Sequence, residues 1–383
     1  MNNLKRYLAL ISISGVLACQ SGGGAKQEEK VFKLGAVLPL TGPAAAPGNE
    51  MNNAVLLAVD EWNSSNKLSG YKVTLDSKDD AADPKQAVSS AHALMSDSLV
   101  AAVVAHLNSG CFLPASRIYH ENGVAAMSGA TTNPEITQQG YPEIFRLCTT
   151  DLVQGELTVP YLKEAGYTKI AIIHDKTQYG QGLAQVVKDA CPKSGIEVLS
   201  FDGINVGDKD FKAILTKIKD QTPDVIYFGG MYDEAGLIVK QMRDLGMTQQ
   251  FVSDDGAFGQ DTIDAGGVAT EGAMFTMVGK PLTEMPQVAE FLTKYEKRFG
   301  VKVQNYGPYA YDVANILLTA ISKVISRIGG VDKAAIVQEL KQMEYDGVVG
   351  HTAFDEKGDT KNKVITIYRV QEGKFVPLKT MGM

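Results

Sequence analysis

Residues 169–231 carry KIAIIHD (169–175), IEVLSFDGI (196–204) and DVIYFGGM (224–231), three short strand-like runs, the first and last of them mainly apolar, separated by two segments of a different period. Between the runs, Leu183, Val186, Val187 and Ala190, and then Phe211, Ile214, Leu215 and Ile218, recur at i, i+3, i+4 and i+7. That spacing places four apolar side chains on one face of a helix. Runs that are apolar throughout are strands buried on both faces, and strands alternating with amphipathic helices build a parallel sheet covered on both sides. In such sheets ligands sit beyond the carboxyl ends of the strands.

The same alternation extends in both directions. Val31 to Leu40 reads as a buried strand with KLGAVLPL at its core, followed by a Gly/Pro/Ala loop over residues 41–48. Met51, Val55, Ala58 and Trp62 then share a helical face. YKVTLDSKDD (71–80) reads as a strand. Asp83-Pro84 opens a helix, with Asp as the cap and Pro in the first turn. Leu99–Ala105, Gly123–Met127 and FVSDDG (251–256) are further strands. At the end of the chain, KVITIYRV (363–370) and KFVPL (374–378) flank Gln371-Glu372-Gly373 and predict a hairpin.

The first thirty residues follow other rules. Lys5 and Arg6 precede a short apolar run, Tyr7 to Leu17. That run falls short of the ~20 residues a membrane span needs, so it reads as the core of a secretion signal. It ends in Val16-Leu17-Ala18-Cys19, which resembles a bacterial lipobox and implies cleavage after residue 18 and lipid on Cys19. Residues 19–30, with SGGG at 21–24, suit a flexible tether. Removing residues 1–18 from 383 leaves 365, enough for about two domains of typical size. Loss of Lys5 and Arg6 takes the formal charge from −7 to −9, and an acidic chain without basic clusters argues against nucleic acid as partner. Cys111, Cys148 and Cys191 would remain. An odd count is no disulfide framework, though one bridge among them is open.

Catalytic and cofactor signatures are missing. His92, His106, His120, His174 and His351 lack a metal-site spacing and read as structural or surface residues. There is no GxSxG elbow and no GxxxxGK[ST] loop, and LTGPAAAPG rather than GxGxxG follows the first strand. Gly180-Gln181-Gly182 is a lone GxG at a helix start, and Asp79-Asp80 reads as a solvated strand end. No cofactor, metal or catalytic residue is therefore expected, and a secreted enzyme on this type of fold finds no support.

Seven segments, in order, resemble the leucine/isoleucine/valine-binding proteins of bacterial ABC importers. They are DDAADPKQAV (79–88), VAHLNSGCFLPASRIY (104–119), AMSGATTNPEIT (126–137), IAIIHDKTQYGQGLA (170–184), FDGINVGDKDF (201–211), YFGGMYDEAG (227–236) and FDEKGD (354–359). The resemblance covers residues 31–380 and implies an α/β, two-lobed type I periplasmic binding protein fold. Each lobe would hold a mainly parallel sheet flanked by helices, with three hinge crossings between lobes. Residues 31–149 and 282–349 would form the N-terminal lobe, and 150–281 and 350–383 the C-terminal lobe. Ligand would be captured in the cleft by hinge closure. The partners implied are an amino acid and an ABC permease with its ATPase subunits. The implied setting is the periplasm or cell envelope, with a monomer held to the membrane by its lipid alone.

Loop chemistry points to an amino-acid head group independently. A carboxylate suits a helix N-terminus, where free N–H groups and the helix dipole favour an anion. Asn108-Ser109-Gly110 and Ala130-Thr131-Thr132 each lie between a strand and a helix and offer hydroxyl and backbone donors; plain helix capping is the competing reading. The resemblance assigns Ser109, Ala130 and Thr132 to the ligand's carboxylate and a share of its ammonium. It matches Asp255 to a carboxylate that is Glu elsewhere in the family, and Tyr179 to a cleft tyrosine. Departures fall on the side-chain wall: Pro47 replaces an aromatic, Met231 a tyrosine (with Tyr232 next to it), Gln304 a phenylalanine, and Ala82 and Asn108 a cysteine pair. Leu, Ile or Val is the leading ligand. Asn108 and Tyr232 would alternatively hydrogen-bond a polar or aromatic side chain. A ligand sensor of the same fold, taking another amino acid or an amide and working with a signalling partner, is the alternative function.

Overall fold

The computed structural model describes residues 30–382; the signal, most of the tether and Cys19 lie outside the described residues. Two sheets organise the chain. The first contains β1 (Lys30–Leu38), β2 (Tyr71–Asp79), β3 (Val100–Ala105), β4 (Ala125–Ser128) and β5 (Ile144–Arg146), in the order β2-β1-β3-β4-β5 with every neighbouring pair parallel. Its strands are linked by α1 (Ala45–Ser64), α2 (Pro84–Met95), α3 (Ser109–Glu121) and the single turn α4 (Glu135–Gln138).

The second sheet takes up the chain after α5 (Asp151–Glu164). It contains β6 (Lys169–His174), β7 (Glu197–Gly203), β8 (Val225–Gly229), β9 (Gln250–Ser253) and β10 (Met274–Val278), with α6 (Gly180–Ala190), α7 (Lys212–Gln221), α8 (Tyr232–Asp244) and α9 (Gln260–Gly266) between them. The chain then returns to the first lobe with α10 (Val288–Phe299), α11 (Gly307–Ile328), α12 (Lys333–Lys341) and the short hairpin β11 (Glu344–Gly347) and β12 (Gly350–Ala353). It ends as β13 (Val364–Gln371) and β14 (Lys374–Gly382), antiparallel at the edge of the second sheet, whose order is β14-β13-β10-β9-β8-β6-β7. The chain thus passes between the lobes three times. Residues 350–360 stay beside the first sheet: Phe354 packs edge-on to Phe145, and Asp359 bridges to Arg146 at the end of β5. Only after them does the chain join the second sheet.

The all-apolar strands behave as their composition requires. Successive residues point to opposite faces, and both faces are dry. In β6, Ala171 and Ile173 enter a core with Leu215, Ile218, Ile238 and Val239, whereas Ile170 and Ile172 enter another with Leu183, Val187 and Leu162. In β3, Ala102 and Val104 face α1 and α11, and Val103 and Ala105 face α2 and α3. The helical stripes Met51/Val55/Ala58/Trp62 and Leu183/Val187/Ala190 are buried as spaced, while Val186 and Ile214 are half-buried. Asp83 caps α2 through Gln86 N at 2.8 Å. The C-terminal hairpin turns through Glu372 and Gly373, both in the left-handed region.

Three expectations are corrected. Helix α1 begins at Ala45, inside the segment read as loop. Asp79-Asp80 is not a solvated strand end: Asp79 binds Leu40 N and Thr41 Oγ1. Asp80 is fully buried and accepts from His106 Nδ1 at 2.7 Å, while His106 Nε2 meets Tyr119 OH at 3.0 Å. A buried carboxylate needs such a partner. Cys111, Cys148 and Cys191 are all free and buried, so no bridge joins any pair.

Candidate functional site

Strand order reverses direction between β1 and β3 in the first sheet, and between β6 and β8 in the second. Loops leaving the carboxyl ends of strands on either side of such a reversal diverge and open a crevice. The two crevices face each other. The cavity between them, about 630 Å³ including its mouth, is lined by Pro47 and Glu50 after β1, Leu107, Asn108 and Ser109 after β3, and Ala130 after β4. Opposite stand Tyr179 after β6, Met231 and Tyr232 after β8, and Asp255, Gly256, Phe258 and Gly259 after β9, with Gln304–Tyr306 closing one side.

Asp255 is the chemical centre. It is only 2 % exposed. Its Oδ1 accepts from Gln154 Nε2 (2.7 Å) and Tyr179 OH (2.8 Å), and its Oδ2 from Tyr306 OH (3.0 Å). Burial raises its carboxyl above the ordinary value, against those three bonds, which favour the charged form. Gly256 is required beside it: a Cβ there would stand 2.6 Å from the Tyr179 ring. Tyr179 OH in turn accepts from Gly256 N at 2.8 Å. Neighbouring Asp254, also buried, is pushed well up by burial and then by the charge of Asp255. Asp151, fully buried, is pushed up to about 8, first by burial and against the Thr132 hydroxyl beside it, which favours the charged form. The buried Arg146 guanidinium is committed elsewhere, to Asp359 Oδ1 (2.9 Å from Nε), Asn133 O (2.7 Å) and Thr137 Oγ1 (2.9 Å). This end of the cavity therefore favours a cation.

The facing wall favours an anion. Helix α3 starts at Ser109, its cap residue Asn108 makes no side-chain capping bond, and its first N–H groups have no partner within the helix. Ser109 Oγ, 2 % exposed as a residue, stands beside them and accepts weakly from Asn133 N at 3.4 Å. Apolar surface from Pro47, Leu107, Met231 and Phe258 completes the walls.

Of the residues expected in the site, Asn108, Ser109, Ala130, Tyr179, Tyr232 and Asp255 line this cavity, as do Pro47, Met231 and Gln304. Thr131 and Thr132 do not. Ser128 Oγ receives both Ala130 N (3.0 Å) and Thr131 N (2.9 Å), which folds the loop tightly, and Arg146 reaches the Thr131 carbonyl at 3.3 Å. Both threonines are turned into the protein, the Thr132 hydroxyl toward the buried Asp151 carboxyl. What Ala130 can offer a ligand is its carbonyl. Sequence reasoning missed Glu50, Gln154, Phe258, Asn305 and Tyr306. Glu50 accepts from Gln304 N (2.6 Å), Asn305 N (3.1 Å) and Gly307 N (2.7 Å), so it anchors the loop that leads into α11. Its only sequence signal is an acid within an apolar helical face.

Contacts across the cleft join the lobes. Asn133 Nδ2 donates to Gln178 O (2.9 Å), Gln178 Nε2 to Glu135 Oε2 (2.9 Å), and Tyr232 OH to Pro43 O (2.7 Å). Asn305 Nδ2 donates to Phe258 O.

A family model described as periplasmic binding protein matches residues 31–374. The chain belongs to the periplasmic binding protein family. It is 35% identical over 374 residues to a Leu/Ile/Val-binding protein homolog of Brucella suis, covering 96% of this chain and 97% of that one. It is 32% identical to a leucine-, isoleucine-, valine-, threonine- and alanine-binding protein of Pseudomonas aeruginosa, covering 95% of each. Among solved structures, the leucine-binding protein LivK of Thermotoga maritima superposes with a TM-score of 0.84 at 28% identity, over 92% of this chain and 99% of that one. The two-lobed fold is thus that of the type I periplasmic binding proteins, and the relatives are named as binding proteins rather than enzymes.

Proposed function

We propose that this chain is the extracytoplasmic substrate-binding lipoprotein of an ABC amino-acid importer, taking Leu, Ile or Val in the cleft between its lobes. The observation that carries the reading is the pairing of opposites in one cavity: the buried Asp255 carboxylate on one wall and the uncapped N-terminus of α3 with Ser109 on the other. An α-amino acid presents an ammonium and a carboxylate on adjacent carbons. Asp255 would take the ammonium, joined by the Ala130 carbonyl, and the α3 N–H groups with Ser109 Oγ would take the carboxylate. Tyr179 and Tyr306 hold Asp255 in place. The aliphatic side chain would lie against Leu107, Pro47, Met231 and Phe258. The names of the relatives support the branched-chain assignment. On this reading, Cys19 carries the anchoring lipid and the lobes deliver ligand to a permease driven by an ATPase.

A thermal-shift series over the twenty amino acids tests this. A ligand that binds only the folded state stabilises it by about 2.7 kcal/mol at a hundred times its Kd. Leu, Ile and Val should each raise the melting temperature. A series in which no α-amino acid does so removes the head-group reading.

A further inference from the structure

Two further buried aspartates feel the charge of Asp255: Asp254 beside it after β9, and Asp151 in the first turn of α5. Neighbouring carboxyls in a dry layer cannot all ionise. Hydrogen-bond donors decide which one keeps its charge. Asp255 accepts from Gln154 Nε2, Tyr179 OH and Tyr306 OH. Asp254 has Gly230 N at 3.2 Å and a share of the Tyr179 hydroxyl, and Asp151 has the Thr132 hydroxyl. Tyr227, Tyr309 and Cys148 also face Asp255; burial raises their pKa values, as it does those of Tyr179 and Tyr306, so all stay protonated. Asp175, which acts on Asp254, is held by Thr177, and the Arg146 guanidinium, which acts on Asp151, is bonded to Asp359.

One of the three donors to Asp255 is itself held in place. A carboxylate only accepts, so the nitrogen of the Gln154 amide faces Asp255 and its oxygen faces away. That oxygen accepts from Thr276 Oγ1 at 2.9 Å. Gln154 and Thr276 are 1 % and 2 % exposed. Thr276 is the lone polar residue of the buried strand β10, MFTMV. It stands one position past the last pair between β10 and β9, Phe275 with Ser253, level with the chain as it turns toward Asp255. Rotating the amide by half a turn would aim its oxygen at Asp255, which favours the protonated acid, and would leave the Thr276 hydroxyl proton without its acceptor. A buried donor left unpaired is costly, so the hydroxyl holds the amide as it is.

We infer that Gln154 and Thr276 are positioning residues of the cleft: the Thr276 hydroxyl fixes the Gln154 amide with its nitrogen toward Asp255, and this makes Asp255, of the three buried aspartates, the one that is ionised and ready for a cation. That the cation is an α-ammonium rests on the amino-acid reading of the cleft.

Carbon-13 NMR of the aspartate carboxyls in ligand-free protein tests it, with Asp255→Asn to assign the Asp255 signal. Thr276→Val removes the hydroxyl at nearly constant shape, and Thr276→Ser keeps it. Thr276→Val should raise the pH at which Asp255 is half-protonated by about one unit, a roughly tenfold effect, and Thr276→Ser should leave it at the wild-type value. Gln154→Leu should raise it at least as far, and adding Thr276→Val to Gln154→Leu should raise it no further. Calorimetry with L-leucine gives a second reading: affinity falls as pH drops through the Asp255 midpoint, and the fall should set in about one unit higher in Thr276→Val than in wild type or Thr276→Ser. A midpoint equal in wild type, Thr276→Val and Gln154→Leu overturns the inference, whatever their melting temperatures, as does an Asp254 or Asp151 that ionises at lower pH than Asp255. If no α-amino acid binds wild type while the midpoints move as expected, the head-group reading falls and the positioning of Asp255 stands.

Discussion

Asp255→Asn separates binding from folding by magnitude. The substitution keeps the shape and removes the charge. In the free protein the carboxylate is buried against Asp254 and Asp151, and burial already raises its pKa. A neutral amide relieves that desolvation but leaves one acceptor oxygen for Gln154, Tyr179 and Tyr306, so the unliganded fold should lose no more than about 1–3 kcal/mol. The ligand's ammonium, by contrast, loses its counter-ion in a dry cleft. Two unit charges about 4 Å apart attract by roughly 4 kcal/mol at an effective dielectric of 20. Truncating one member of a buried, hydrogen-bonded charge pair typically costs about 2–5 kcal/mol. At about 1.4 kcal/mol per tenfold, affinity should fall roughly 30- to 4,000-fold. Calorimetry gives the affinity and a thermal melt of ligand-free protein gives the stability. Retention of wild-type affinity would refute Asp255 as the ammonium's partner. A loss of stability beyond that, with ligand affinity little changed, would show that Asp255 is held for the fold, through Gln154, Tyr179 and Tyr306, rather than for the ligand.

Glu50→Gln leaves one acceptor oxygen for the N–H groups of Gln304, Asn305 and Gly307, and should cost about 1–3 kcal/mol, read as a melting temperature lower by several degrees together with weaker ligand binding. Arg146→Met strands Asp359 and the Asn133 carbonyl and should destabilise by about 3–5 kcal/mol in a denaturant melt, as removal of one partner of a buried pair does. Asp151 has its carboxyl raised from 3.8 to about 8, so between those values the folded state holds a proton the unfolded chain has released. Its contribution is complete below about pH 4 and is lost as pH rises toward 8; melts of the ligand-free protein across that range should decline, and Asp151→Asn should flatten the decline. Cys19→Ser should abolish fatty-acid labelling and move the protein to the soluble fraction or leave it uncleaved; unchanged labelling would remove the lipid anchor from the proposed function.

Most strands of both sheets were legible where burial imposed a simple period, although β5 and β10, just as buried, were passed over. The runs at 169–175 and 224–231, and the stripes that follow the first and second strands of that region, lie where their spacing put them, because each must face a dry layer. Helix α11 was passed over: its residues are apolar nearly all round, as befits a helix wedged between α1 and α12, and such a run shows no stripe to read. The cleft was legible where single loops leave strand ends, as at Ser109 and Asp255. It was illegible where the wall comes from distant chain: Tyr306 reaches Asp255 across 51 positions and Glu50 reaches Gly307 across 257. Thr132 was misplaced for a related reason. Its hydroxyl looked like a cap or a ligand contact in the linear sequence, but Ser128 and Arg146 dictate the turn of its loop.

The contacts that span the cleft are a handful of hydrogen bonds from amides and phenols, and among the described residues no ion pair bridges it. Each such bond is worth a net ~0.5–1.5 kcal/mol, because opening the cleft trades it for water. Moving a two-state population from one in a hundred closed to ninety-nine in a hundred takes about 5.5 kcal/mol of differential binding. So shallow a latch leaves the shut form within the reach of thermal fluctuation and lets the bound solute decide the balance. The same shallowness eases delivery: a transporter that grips the two lobes and spreads them has only weak bonds to break before its cargo is free.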